Sequence, residues 1–163
     1  MIRKILSGGQ TGADRAALDE AMHAGVEHGG WVPRGRKAED GPIPRKYRLK
    51  ETPTSWYAER TERNVEEGDG TLIVSRGPLT GGSLLTQGLA RKHRKPSLHV
   101  DLGEERDLRD TARGALAWIR EHGIEVLNVA GPRAGNDPQI YALTRGLLKA
   151  VLSLEREARS SVP

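Results

Sequence analysis

Ser7-Gly8-Gly9-Gln10-Thr11-Gly12-Ala13-Asp14 stands between a short apolar run, Ile2 to Leu6, and a stretch carrying Ala17, Leu18, Ala21 and Met22 at helical spacing. The order predicts a strand, a tight glycine turn and a helix. Such a turn gathers the unpaired N–H groups of a helix start, where the helix dipole also favours negative charge. Gly8, Gly9 and Gly12 let the backbone turn tightly and let a ligand approach with no Cβ in the way. The same glycines would also serve a purely structural turn, so the motif gains meaning only if it recurs.

It does recur. Beyond the helix stop at Gly25, Glu27 to Val32 reads as a weak strand with Trp31 at its end. Residues 33–53 hold four prolines and no apolar periodicity, which predicts a lid, a binding loop or an interface arm. Thr54 to Glu67 reads as a helix with Thr54 as its cap. The clearest strand, Gly70 to Ser75, runs into a second glycine turn, Arg76-Gly77-Pro78-Leu79-Thr80-Gly81-Gly82-Ser83, and then a helix carrying Leu84, Leu85 and Leu89. A strand over Pro96 to Leu102 and a helix from Asp107 to His122 follow, the helix with Leu108, Ala112, Ala115, Leu116 and Ile119 inward. The fifth strand, Ile124 to Val129, leads into Asn128-Val129-Ala130-Gly131-Pro132-Arg133. Asp137-Pro138 opens the last helix, and the polar end, 155–163, is expected to fray.

Five strands alternating with five helices predict one α/β domain over 1–163, a Rossmann-like three-layer sandwich with a parallel sheet in the order 2-1-3-4-5. In that order the two glycine turns face each other at the switch point. The last helix has an apolar face (Ile140, Leu143, Leu147, Leu148, Val151, Leu152, Leu154) wider than one sheet contact needs. That width predicts a homodimer or homotetramer.

Composition narrows the function. The 163 residues contain no cysteine, so a disulfide, a thiolate metal site and a thiol nucleophile are excluded. No run is long enough to span a membrane and no leader is visible, so a soluble cytoplasmic protein is expected. Residues 33–53 hold seven basic and three acidic side chains and so carry the whole net charge of +4. Charge that localised, with four per cent aromatic residues, fits a small anionic ligand better than nucleic acid; a solvated loop is the plainer alternative.

The dinucleotide pattern Gly-x-Gly-x-x-Gly and the Walker lysine are both missing. The histidines (His23, His28, His93, His99, His122) are scattered, so no metal site is expected. Asp14 reads first as a helix-start carboxylate, and as an acid or base, with Glu39, only if the protein is an enzyme. Arg60, Thr61 and Asn64 form a polar stripe, read as solvated surface with a cleft-facing role as the alternative. Arg34, Arg36, Arg76 and Arg133 follow strands at their C-terminal ends, where guanidinium forks suit a phosphate or a polar ring edge.

Three long pieces, Gly8 to Asp19, Gly30 to Pro44 and Leu49 to Thr52, resemble the molybdenum-cofactor carrier proteins. So do Arg60 to Val65, Asp69 to Ile73, Leu79 to Ser83 and Asn128 to Arg133. The resemblance implies a Rossmann-like fold that holds and protects the molybdenum cofactor, a phosphorylated pterin, with molybdoenzymes or cofactor-synthesis proteins as partners. Taken with the glycine turns and the arginines after strands, the candidate contacts are Gly8, Gly9, Gln10, Thr11, Gly12, Ala13, Arg34, Gly35, Arg36, Arg76, Thr80, Gly81, Gly82, Ser83, Asn128, Gly131, Pro132 and Arg133. Phosphoribohydrolases that activate cytokinins resemble this family in fold and use a glutamate after their glycine motif. Here Gly88 stands at that position. The expected function is therefore non-catalytic binding of a phosphorylated pterin. A nucleotide-related hydrolase or transferase and a nucleotide sensor are the alternatives.

Overall fold

The computed structural model describes residues 1–103 and 107–162. In chain order the elements are β1 (Lys4–Leu6), α1 (Ala13–Ala24), β2 (Glu27–Gly29), β3 (Trp31–Val32), β4 (Lys50–Glu51) and α2 (Tyr57–Glu67). After them come β5 (Gly70–Ser75), α3 (Gly81–Lys92), β6 (Ser97–Asp101), α4 (Leu108–Glu121), β7 (Val126–Ala130) and α5 (Ile140–Ser160). The main sheet is five-stranded and parallel throughout, as the alternation requires.

Its order is β2-β1-β7-β5-β6, which corrects the expected one. Counting main-sheet strands alone, the expectation was 2-1-3-4-5 and the molecule has 2-1-5-3-4. The physical reason is burial. Leu127, Asn128 and Val129 of β7 are all buried, as a central strand requires, whereas most of β6 is only half-buried, as at an edge. Placing the last β–α unit first in the count would give 3-2-1-4-5, the usual doubly wound order, so β5 and β7 flank the switch point.

Right-handed crossovers then fix the layers. Connections that step toward β2 carry α1 and α4, and α5 joins them on that face. Those that step toward β6 carry α2 and α3 on the other. Ala13, Ala17 and Ala21 let α1 lie close to Ile5, Val74 and Val129. α5 packs between α1 and α4. Ile140, Leu147, Leu148, Val151 and Leu152 are thereby at most 4% exposed within one chain. The width of that face has this intramolecular cause, so it no longer argues for an oligomer.

Some ends shift. Gly25 caps α1 in the left-handed region at φ 70°, as expected, and Asp107, expected as the first residue of its helix, instead caps α4 by accepting the Arg109 N–H. Thr54 instead accepts the Trp56 N–H (3.3 Å) before a helix that starts at Tyr57. α5 continues to Ser160 where fraying was expected; Pro163 lies outside the described residues.

Residues 33–53 are ordered by their own contacts. β3 and β4 pair as a small parallel sheet. Val32, Ala38, Ile43 and Tyr47 make a second apolar core against Leu18. The Arg36 guanidinium donates to the carbonyls of Ile43, Pro44 and Tyr47 at 2.8–2.9 Å.

Candidate functional site

At the C-terminal ends of the strands lies a cleft of about 720 Å³, within the range of small-molecule sites. The β1–α1 turn, the first two turns of α2, the β5–α3 turn and the β7–α5 loop form its walls. It therefore opens at the switch point that the strand order defines.

The two glycine turns contribute differently. Gly77, Gly81 and Gly82 line the cleft, and a Cβ on any of them would meet nothing within 4 Å. No side chain caps α3, whose first turn faces this space. In the first turn a Cβ on Gly9 would strike Ile43 at 2.9 Å. One on Gly12 (φ 80°) would strike the Pro132 carbonyl at 2.5 Å. Thr11 clips three segments together: its hydroxyl donates to Glu39 Oε1 (2.5 Å) and accepts the Ala134 N–H (3.1 Å). Ala13 N–H donates to the Pro132 carbonyl.

Twelve of the sequence-derived candidates line the cleft: Gly8, Gln10, Asp14, Arg76, Thr80, Gly81, Gly82, Ser83, Asn128, Gly131, Pro132 and Arg133. Seven do not. Gly9, Thr11, Gly12 and Ala13 hold the turn against neighbouring loops. Arg34 and Gly35 are exposed away from the cleft, and Arg36 is spent inside its own loop.

The α2 stripe turns inward, against its solvated reading. Tyr57, Arg60, Thr61 and Asn64 all face the cleft. Asn64 is fixed by two bonds to the Trp31 backbone (2.7 and 3.0 Å). The Tyr57 ring has Arg60 and Arg133 each 5.3 Å from its centroid and Lys37 at 4.5 Å. Three cations from three segments thus gather around one ring. The i, i+1, i+4 spacing carried that signal, but a surface stripe has the same spacing.

Asp14 is not the cap of α1, a place taken by Gly12. Its Oδ2 accepts the Gln10 N–H (3.2 Å) and lies 3.8 Å from Arg60 Nη2. Burial pushes its carboxyl up to about 6, against the opposing pull of Arg60, the Gln10 N–H, Arg15 and Arg133. Arg60 lies flat on Gly8, where a Cβ would be 2.6 Å from its Nε, and bonds Thr61 through Nη1. Across the cleft, Arg76 is forked onto Asp137 at 2.8–2.9 Å, which holds that carboxyl low. Arg76 therefore ties the β5–α3 turn to the β7–α5 loop.

Ser75 and His99 are the nearest thing to a nucleophile and base. Ser75 Oγ lies 2.6 Å from both His99 Nε2 and the Gly77 carbonyl. A carbonyl only accepts, so the serine proton goes to Gly77 and His99 Nε2–H donates to the serine. In that arrangement the histidine takes no proton from Ser75. Among the described residues one group, Glu62, Glu66 and His93, could close on a cation, and Lys92 already donates to Glu62 Oε1 (2.8 Å).

Comparisons with known proteins bear on the fold and the family. The model of the circularly permutated YpsA SLOG family matches residues 5–152. A crystal structure at 1.45 Å resolution, of a protein from Syntrophus aciditrophicus SB named "Putative molybdenum carrier protein", shares 54% identity. It superposes with a TM-score of 0.90, covering 93% of this chain and 95% of that one. No curated protein matches. Among the described residues no helix is long and apolar enough to cross a membrane.

Proposed function

The chain belongs to the circularly permutated YpsA SLOG family, and from that premise we propose that its cleft binds a phosphorylated pterin, the molybdenum cofactor, as cargo. One observation carries the reading. The bare Gly81-Gly82 start of α3 shares one small-molecule cleft with Arg60 and Arg133, which both lie 5.3 Å from the Tyr57 ring centroid.

The residues fit such a cargo. The Gly81-Gly82-Ser83 backbone, at a helix start with no side-chain cap, suits a phosphate. Tyr57 offers a flat face to a heterocycle, and Asn128 and Asn136 offer donors and acceptors to its edge. The name of the 54% identical neighbour, a molybdenum carrier, supports a molybdenum-related cargo. Holding a ligand needs shape and anion contacts and no acid, base or nucleophile, and the Ser75–His99 pair is set as a brace. A nucleotide would use the same phosphate and ring contacts, which leaves it as the second reading.

Mass spectrometry of the small molecules released from anaerobically purified protein tests this. A phosphorylated pterin is expected. A nucleotide would replace the cargo and keep the site, and an empty cleft in every preparation would overturn the proposal.

A further inference from the structure

The cleft contains a second feature that a phosphate at α3 leaves unused. At the β1–α1 end, Gln10 is 5% exposed. Its Oε1 accepts two N–H groups, from Thr11 (3.0 Å) and Glu39 (2.9 Å), which fixes the amide's orientation. Its Nε2 is therefore the other branch, and it is buried with no hydrogen-bond partner among the described residues. Arg60 Nε is in the same position, on a side chain only 13% exposed. Buried donors normally find acceptors, and two unpaired ones in a single cleft wall are a costly exception. Both neighbour Asp14: the Gln10 backbone N–H bonds Oδ2, and Arg60 Nη2 stands 3.8 Å from the same oxygen.

We propose that this end of the cleft is a discrete subsite for a tetrahedral oxyanion, held by Gln10 Nε2 and Arg60, with Asp14 taking up a proton from solvent as the anion binds. The subsite lies inside the cleft assigned above and rests on the reading that the cleft holds an oxyanion-bearing ligand. It adds where a second acceptor group of that ligand goes, and it links binding to pH. No bond in the ligand breaks; one proton moves from solvent to the Asp14 carboxyl.

The charges make the linkage necessary. Among the described residues, the carboxylate within 4 Å of Arg60 is Asp14. An incoming dianion would meet that carboxylate as a like charge in a poorly solvated wall, so the carboxylate protonates. Its neutral form then leaves Arg60 free to serve the ligand. The other charged groups that act on Asp14 are Arg15 of α1, Arg60 of α2 and Arg133 of the β7–α5 loop. Arginines keep their charge across neutral pH. Arg15 is forked onto Asp40 at 2.9 Å, and Glu39, beside Arg133, is held low by the Thr11 hydroxyl and so stays ionised. Asp14 is thus the group at this end whose proton can change near pH 6.

Sodium sulfate is the suitable probe, because it remains a dianion across the range tested. Calorimetry on the full chain at about pH 5.5 and about pH 7.5, at fixed ionic strength, should show sulfate bound about tenfold tighter at the lower pH. At the higher pH, two buffers of different ionisation enthalpy should reveal the uptake of one proton by the wild type itself. Asp14→Asn should bind tightly and equally at both pH values, and Arg60→Gln should lose about tenfold at both. Absent sulfate binding, binding that ignores pH, or an unchanged pH slope in Asp14→Asn would each overturn the subsite. Sulfate lost in Gly82→Val but kept in Arg60→Gln would also overturn it, while sparing the function proposed above. Proton-linked sulfate binding in a protein that co-purifies with neither pterin nor nucleotide would keep the subsite and remove that function.

Discussion

The two glycine turns are alike in sequence and opposite in use. Both end a strand, open a helix and border the same cleft. In the first, Gly9 and Gly12 are packed shut against Ile43 and the Pro132 carbonyl, and Thr11 clips the loops together. In the second, Gly77, Gly81 and Gly82 face open space. A glycine cluster therefore says that a Cβ is unwelcome without saying whether protein or ligand fills the room. The first turn gives Gly9 and Gly12 to the fold and its polar side chains, Gln10 and Asp14, to the cleft. The second gives its bare backbone to the cleft.

The largest expected effect separates the turns directly. Gly12→Val puts a branched side chain at φ 80° against backbone 2.5 Å away, so it should lose about 3 kcal/mol or more, or fail to fold. Urea unfolding checks this. A variant of wild-type stability that merely binds no ligand would break the contrast.

Asp14→Asn sharpens it. The folded carboxyl is raised to about 6 from 3.8, so the folded state prefers the neutral form and ionisation works against folding. That penalty is absent below about pH 4, grows through pH 6 and is complete above it. The asparagine variant should therefore be more stable than wild type at neutral pH by up to about 3 kcal/mol, with the advantage vanishing as pH falls toward 4. Paired urea curves at several pH values measure it, and a loss of stability at neutral pH would contradict the burial argument.

Arg133→Ala comes next, on binding and not on folding. Removing a charged hydrogen bond should weaken the co-purifying ligand by about 1.5–3 kcal/mol, roughly ten- to a hundredfold, with little change in melting temperature. The smallest effect belongs to the open turn. Gly82→Ala should alter stability by less than about 1 kcal/mol in either direction, because its Cβ meets nothing.

Much of this was legible in the sequence. Alternating runs and glycine stops placed the five strands and five helices, and Gly25 was readable as a helix stop because its chemistry is local. Strand order was not, because adjacency in the chain says nothing of which strand lies centrally; β7, Val126-Leu127-Asn128-Val129-Ala130 with one polar residue against three in β6, held the clue. Arg36 looked like a ligand contact because a guanidinium after a strand suits phosphate. Its role in closing its own loop depends on the carbonyls of Ile43, Pro44 and Tyr47, which sequence cannot place. Arg60 and Asn64 were visible as a stripe, but its direction required the packing of α2 on α3.

The most direct test of the cleft as a cargo site compares the open turn with itself. Native mass spectrometry of anaerobically purified wild type and Gly82→Val would read the bound mass in each. The account predicts a phosphorylated pterin on the wild type and none on the variant, with the two proteins melting within a few degrees of each other. The same mass on both, or none on either, would contradict it.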